Sequence, residues 1–340
     1  MNIFVTGASG FLGACFVKKM AENESINKIY CSCRTKPPKN KKIIWLKSDI
    51  SDINDLNTLS IKDSIDKNSL DKDSIDKDSI EKNPVDIVVH FAAFLKYESK
   101  EMFESVNVKG TENVISFCKN NNIKRIIHCS TINVKLTKKG GYSASKAKAE
   151  ELIKNSGLEY IIARPTLIYG PTDNGLNKMV ASAKKFGIIP VFGSGRYLQQ
   201  PIYIEELVSC FERLIFSDQT GAVFELGGEK PLSYIEMTDA ISAALGKRVR
   251  PLKIPATPVL AVLSVIEALG IPFMLRREQI YQVNEDLVCE NGVNGVNGVS
   301  GVSGENDANG VNGENVIAMD LLNVEMHSFK ENLQKYIERL

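Results

Sequence analysis

The stretch Met1–Phe16, MNIFVTGASGFLGACF, decides how the rest of the chain is read. Ile3, Phe4 and Val5 are consecutively apolar, as in a strand buried on both faces, and Phe11 to Met20 has the mixed pattern of a helix packed on a sheet. Between them Gly7, Gly10 and Gly13 stand three apart. Glycine permits a tight turn and the close approach of another backbone, and the helix behind offers free N–H groups and the positive end of its dipole. Strand, glycine turn and helix in that order predict a site for a dinucleotide pyrophosphate. Gly7, Ser9, Gly10, Phe11, Leu12 and Gly13 are its expected contacts.

Outward from this turn, apolar strands alternate with helical segments. Strands are expected at Lys28–Cys33, Ile43–Leu46, Asp86–His90, Arg125–Cys129 and Tyr160–Ala163, and helices near Glu101–Lys119 and Tyr142–Asn155. The alternation predicts an α/β fold, a Rossmann-type doubly wound parallel sheet with the nucleotide at the strands' carboxyl ends. The expected division is an NAD(P)-binding domain over residues 1–170 and a small mixed C-terminal substrate-binding region over 171–340.

Composition narrows the function classes. The 340 residues, 43% hydrophobic and 24% charged, suffice for a large core, and a formal net charge of +1 gives no basic surplus for nucleic acid. No signal-peptide pattern precedes the first strand, and seven scattered cysteines form neither a ligand spacing nor a disulfide framework, so a reducing cytoplasm is expected. His90, His128 and His327 lie far apart along the chain, and no metal site is expected. The apolar stretch Ile254–Leu275 is interrupted by Pro255, Pro258, Glu267, Gly270 and Pro272. It predicts a buried or partner-facing helix from Pro258 to Leu269, with no membrane span.

Two repeats break the alternation. Ser64–Asn83 writes one pentapeptide four times, SIDKN, SLDKD, SIDKD, SIEKN. A step of five advances about 140° around a helix and flips faces on a strand, so its Ile and Leu line no single stripe. A solvated insertion over 60–83 is expected. Asn291–Asn315 places glycine at every third position through several repeats without proline, which excludes collagen and predicts a flexible tether.

Hydride chemistry is suggested by CSTINVKLTKKGGYSASKAKAEEL, Cys129–Leu152. If Tyr142 opens a helix, Lys146 lies one turn along on the same face. A phenol with a pKa of about 10 is a poor base at neutrality and needs a cation beside it. Lys146 supplies one, and a hydroxyl from Ser130 or Thr131 would hold the substrate oxygen while Tyr142 exchanges its proton. At the end of the second strand, IYCSCRTK sets Arg34 and Lys36 where they could meet a ribose 2′-phosphate, favouring NADP over NAD.

With these motifs in place the chain resembles the extended short-chain dehydrogenase/reductase proteins, the NAD-dependent epimerase/dehydratase family. TGASGFLG matches the family's cofactor loop, and SDISD, with Asp49 and Ile50, its adenine-contacting segment. HFAA, with Phe91, Ala92 and Ala93, matches the strand end under the ribose, NVKGTENVI from Asn107 the helix below, and ARPTLIYGP, with Pro165, the loop beside the nicotinamide. The resemblance implies Tyr142 and Lys146 as cofactor contacts as well as catalytic residues, a small-molecule sugar-like substrate, and a homodimer through the Glu101 and Tyr142 helices. Departures bear on substrate. Leu167 stands where members acting on nucleotide-sugars carry asparagine, Gln199 or Gln200 where they carry an arginine for the diphosphate, and Ile132 and Asn133 where dehydratases carry an acid. The interval from Thr131 to Tyr142 is short. LQQPIYIEEL and ELGGEKPLSYIEM resemble a branch that includes the NAD(P)H-binding accessory subunit of respiratory complex I, so a non-catalytic, cofactor-holding protein is the alternative. Arg196, Tyr203 and Asn174 are candidate pocket residues by position only, an ordinary surface or packing role being the expected one for each, and Glu205 and Glu206 suit a helix N-terminus.

Overall fold

The computed structural model describes residues 1–57, 85–95, 100–173, 175–271, 273, 275–290, 316–317 and 319–340. Both repeats, Ser64–Asn83 and Asn291–Asn315, and Asn174 lie outside the described residues.

The first half alternates as its apolar pattern requires. β1 (Asn2–Thr6), α1 (Phe11–Glu22), β2 (Lys28–Cys33), β3 (Ile43–Lys47) and α2 (Ile53–Asn57) are followed by β4 (Ile87–His90). A π-helical stretch, Phe103–Lys109, runs into α3 (Gly110–Asn120), then come β5 (Arg125–Cys129), α4 (Gly141–Lys154) and β6 (Glu159–Pro165). The helix expected over Glu101–Lys119 therefore changes winding midway. Such wide turns recur at functional sites.

Beyond β6 the chain gives β7 (Ile168–Tyr169), α5 (Leu176–Phe186), β8 (Ile188–Phe192), β9 (Leu198–Gln199), β10 (Ile202–Tyr203), α6 (Ile204–Phe216) and β11 (Ala222–Leu226). It continues through β12 (Leu232–Ser233), α7 (Tyr234–Ala244), β13 (Arg250–Ile254), α8 (Ala256–Ala268), α9 (Arg277–Gln282), β14 (Val316–Ile317) and α10 (Phe329–Gln334). The main sheet runs β14-β11-β6-β5-β4-β1-β2-β3 with every pairing parallel. It draws β11 and β14 from beyond residue 170.

Both faces of the sheet are covered, which is why its strands are apolar throughout. Alternate residues sort the two cores. Ile3, Val5, Cys31, Val89 and Ile127 meet Phe16, Val17 and Met20 of α1 and Phe211 of α6, whereas Phe4, Tyr30, Val88 and Ile126 meet Val114, Phe117 and Cys118 of α3. α1 and α6 are joined by Lys19, whose Nζ donates to Ser209 Oγ at 2.7 Å and pairs with Glu212 at 3.1 Å.

Smaller pairs build the C-terminal region: β7 with β10, β8 with β13 in parallel, and β9 with β12 antiparallel. Two residues weighed in the sequence take buried positions here. Tyr203 is 3% exposed and its ring stacks on Tyr336 at 6.0 Å, so it belongs to the core and not to a pocket. Glu205 is exposed on the first turn of α6, as a dipole partner should be, but Glu206 is buried and ties down the chain's end. Its Oε1 accepts from the His327 backbone N at 2.8 Å, His327 Nδ1 at 3.1 Å and Asn332 Nδ2 at 2.8 Å.

Glu206→Ala would leave those donors without their acceptor, at a cost of about 2 kcal/mol of unfolding free energy. Urea denaturation measures the loss, and limited proteolysis should find the segment after His327 cut sooner than in the parent; equal digestion rates would show that the tie is idle.

Candidate active site

The carboxyl ends of β1, β2, β4 and β5 lie side by side, since Thr6 pairs with Ser32 and His90, and His90 pairs with His128. The glycine turn sits on this edge. Gly7 N donates to Ser32 O at 3.1 Å and Gly10 N to Gly7 O at 2.9 Å. Gly7 has φ +67°, and a Cβ there would lie 2.6 Å from Ala92 N; one at Gly13 would lie 2.2 Å from Gly7 O. Side chains are excluded at both places by backbone. α1 begins after Gly10 with no side-chain cap, so the N–H groups of Phe11, Leu12 and Gly13 meet no capping side chain. That is the arrangement an anionic phosphate needs, and these residues fit a dinucleotide.

The other expected cofactor contacts spread along the same edge. Ser9 is exposed in the turn, and the Cys33 thiol at the end of β2 donates to Thr35 O at 3.1 Å. Arg34 is largely exposed and stands 3.9 Å from Asp49, while Lys36 Nζ lies 5.7 Å from the Trp45 ring centre. Ile50 is buried beneath Gly110, where its O accepts from Asn113 Nδ2 at 2.9 Å, so its side chain is committed to the core. Phe91 packs on Phe16 and Phe211 at 5.0 Å and 4.8 Å. Its ring also serves packing. Ala92 N donates to Thr6 Oγ1 at 3.2 Å, Ala93 follows on the partly buried strand end, and Pro165 is buried at the end of β6.

At the end of β5, Ser130 and Thr131 differ in what their hydroxyls do. Thr131 Oγ1 accepts from Asn133 N at 3.3 Å and caps a short turn of helix, whereas Ser130 Oγ is buried without a hydrogen-bond partner. Thr131 still has its O–H to donate. Tyr142 enters the first turn of α4 with its ring 6.4 Å from Phe103, and Lys146 follows on the same face. Lys146 is 2% exposed; its Nζ donates to Cys129 O at 2.7 Å and to His128 Nε2 at 3.0 Å. Burial lowers its pKa from 10.5 to about 8.

His90 and His128, distant in sequence, are neighbours with ring centres 5.0 Å apart. Counting donors assigns the His90 tautomer. Thr111 Oγ1 gives its proton to Asn107 O at 2.6 Å, so His90 Nε2–H donates to Thr111 at 3.0 Å; Ala92 N–H occupies Thr6, whose hydroxyl proton goes to His90 Nδ1 at 2.7 Å. Burial pushes His90 down to about 3 and His128 well below its ordinary value, the Lys146 charge adding to both. Both rings are neutral, and no cluster of His, Cys, Asp and Glu able to hold a metal occurs among the described residues.

Three supports were not singled out from the sequence. Glu150 lies one turn beyond Lys146 on the same face and pairs with Arg164 at 2.6 Å and 3.0 Å, both side chains buried. Its spacing from Tyr142 and Lys146 was a readable signal. Asn107, on the π-helical stretch, donates to Ser145 Oγ at 2.9 Å and accepts from Phe94 N at 2.6 Å. Glu278, on α9, accepts from Tyr142 N at 3.2 Å and Ser143 N at 2.8 Å, so a carboxylate from the C-terminal region caps the Tyr142 helix. A Cβ at Gly140 would lie 2.1 Å from Glu278 Oε2. Burial raises the Glu278 pKa. Gln199 and Gln200 are buried tethers: Gln199 Nε2 donates to Gln282 O and Glu285 O, and Gln200 bonds Gly228 O and Cys289 N. Leu167 packs on the core, and Arg196 is exposed in a turn.

A parallel sheet with a glycine turn at its edge and tyrosine and lysine beside it defines a dinucleotide-binding protein of the short-chain dehydrogenase type. A model of the NAD dependent epimerase/dehydratase family matches residues 3–227, and the chain belongs to that family. It is similar to dTDP-D-glucose 4,6-dehydratase of Dictyostelium discoideum, 29% identical over 279 residues that cover 71% of this chain and 61% of that protein. It is also similar to the mitochondrial NADH dehydrogenase (ubiquinone) 1 alpha subcomplex subunit 9 of Arabidopsis thaliana, 26% identical over 196 residues, covering 56% and 49%. Matches span 37%, 40% and 61% of the first three curated relatives. The fold is shared with DesIV, a dTDP-glucose 4,6-dehydratase from Streptomyces venezuelae solved with NAD bound, at a TM-score of 0.66 and 18% identity over 99% of this chain and 96% of that one.

Two outcomes test the geometry. Because the unfolded chain holds the Lys146 proton more tightly than the folded one, stability rises as pH passes from about 8 towards 10.5. Lys146→Met should flatten that rise by about 2 kcal/mol in urea unfolding at paired pH values; parallel curves would show an ordinary exposed ammonium. Glu278→Ala should lower stability by about 1–2 kcal/mol through loss of the cap, seen as an earlier thermal midpoint.

Proposed function

We propose that this chain binds NAD(H) or NADP(H) and moves a hydride reversibly at a secondary alcohol or ketone of a sugar-like substrate, with Tyr142 as acid/base. The observation that carries the reading is the buried Lys146, set on the Tyr142 face of α4 and held at the end of β5. A lone ammonium in that position is expensive to bury, and stabilising a phenolate gives it a use.

The glycine turn and the first N–H groups of α1 would hold the pyrophosphate, Asp49 and Ile50 the adenine end, and Phe91 to Ala93 the ribose through backbone. When bound, the nicotinamide supplies the hydride acceptor or donor. The chain's own part is to place and move a proton. A hydroxyl from Ser130 or Thr131 holds the substrate oxygen, and Tyr142 takes the alcohol's proton or returns it. Lys146 keeps one N–H beyond its bonds to Cys129 and His128 to face the phenol. His128 fixes the ammonium by accepting from it, and the neutral His90 beyond adds no competing charge.

The family's relatives include enzymes named for UDP- and dTDP-sugars, so a nucleotide-sugar is the substrate class to test first. The buried Gln199 and Gln200 mean that any diphosphate is held by other side chains. Arg34 favours NADP through its guanidinium, with Asp49 beside it to compete for that charge. A reducing compartment such as the cytoplasm suits seven free thiols. A homodimer would use the faces of α3 and α4, where a surface cavity is lined by Val108, Ile115 and Leu152.

A second reading is a cofactor-holding accessory protein, favoured by the similarity to the NADH dehydrogenase subunit. One experiment separates them. The purified protein is denatured and the released dinucleotide identified by mass spectrometry, then turnover is followed by nicotinamide absorbance on UDP- and dTDP-glucose and their keto forms. Tyr142→Phe should lower turnover by about 10²–10⁴-fold with cofactor still bound. Tight cofactor binding with no hydride exchange on any sugar would give the accessory reading.

A further inference from the structure

We propose that α8 and the β13 segment before it form a docking surface for an anionic lipid bilayer, which the chain meets without crossing. The observation is an inverted polarity. Leu263 alone is buried in α8, whereas Val262 and Val265 are each 59% exposed, and Leu269, Ile271 and Phe273 continue the bare surface beyond the helix. Positions 258, 261, 262, 265 and 269 recur at three and four, so Pro258, Ala261, Val262, Val265 and Leu269 share one stripe. Thr257 is exposed in the first turn, and the helix's later polar groups, Ser264 and Glu267, turn the other way. Glu267 accepts from Arg277 N at 2.9 Å and Arg277 Nε at 2.8 Å, and Ser264 Oγ lies 3.4 Å from Arg277 Nη1. An ordinary surface helix does the reverse, hiding its apolar side and showing its polar one.

Charge names the occupant. Between Asp239 and Glu267 the chain carries Lys247, Arg248, Arg250 and Lys253 and no acid, and all four are exposed, in a protein whose net charge is only +1. Leu252, between Arg250 and Lys253, is itself 48% exposed. Cations beside an apolar helix are the signature of attachment to anionic lipid, the apolar side entering about 5–10 Å. No helix among the described residues is long and apolar enough to cross a membrane. A second copy is a poorer occupant: one face of a helix this short covers on the order of 200 Å², against about 800 Å² per partner in a stable dimer. Self-association through the same strip would also bring like-charged flanks together.

The test uses the full chain and sedimentation with phosphatidylcholine vesicles, with and without phosphatidylglycerol, at low and high salt. Binding is expected only with phosphatidylglycerol and should weaken with salt. Val265→Glu with Leu269→Glu should lower the partition coefficient about tenfold or more, and Arg250→Glu with Lys253→Glu should remove most of the salt-sensitive part. These side chains are exposed, so the thermal midpoint should hold. No binding to anionic vesicles, or binding that ignores the Val265 and Leu269 changes, overturns the proposal. So does a dimer in light scattering that Val265→Glu dissociates, which would assign the surface to a second copy. The assay reads binding alone and is independent of the role of Tyr142.

Discussion

The parallel register that sets Thr6 beside His90 and His90 beside His128 is the constraint on which the rest depends. It brings three strand ends to one level, so the turn after β1 meets the backbone after β4, and the end of β5 meets the helix carrying Tyr142. The first meeting is made by backbone and the second by the Lys146 side chain. Gly7 and Gly13 hold the turn against Ala92 and against itself at distances no side chain allows. A shift of one residue in any strand would turn its apolar side chains to the other face and move these contacts apart.

The same edge concentrates buried polarity, and the chain satisfies most of it by a directed series of hydrogen bonds from Ala92 through Thr6 and His90 to Thr111 and Asn107. The series fixes one tautomer and leaves no spare charge. Lys146 is the exception. Its ammonium is buried, its pKa is pulled down, and its acceptors are a carbonyl and a neutral ring. Buried charges with partial compensation cost stability and are found chiefly where chemistry uses them.

The C-terminal region reaches into this edge. Glu278 caps the Tyr142 helix, Gln199 and Gln200 anchor the segment that follows α9, and Glu206 binds the chain's last helix to α6. Gly140, with no side chain, leaves room for the Glu278 carboxylate, which reaches the Tyr142 helix from a part of the chain far away in sequence. α8, next to α9, turns Ser264 and Glu267 to Arg277 of that helix, which leaves its apolar side outward.

The sequence by itself determined the order of strands and helices, the glycine turn and the Tyr142–Lys146 face, because all three are set by local rules: period two, period 3.6 and the steric needs of close backbone approach. Glu150 obeyed the same helical spacing and was legible. What only the tertiary structure decided were the partners: His128 for Lys146, Glu278 for the Tyr142 helix, and the burial of Gln200, Glu206 and Tyr203. It also decided what two adjacent hydroxyls do, Thr131 accepting from Asn133 N and Ser130 lying buried without a partner. Those outcomes join residues far apart in the chain or depend on which way a side chain turns, and no periodicity records either.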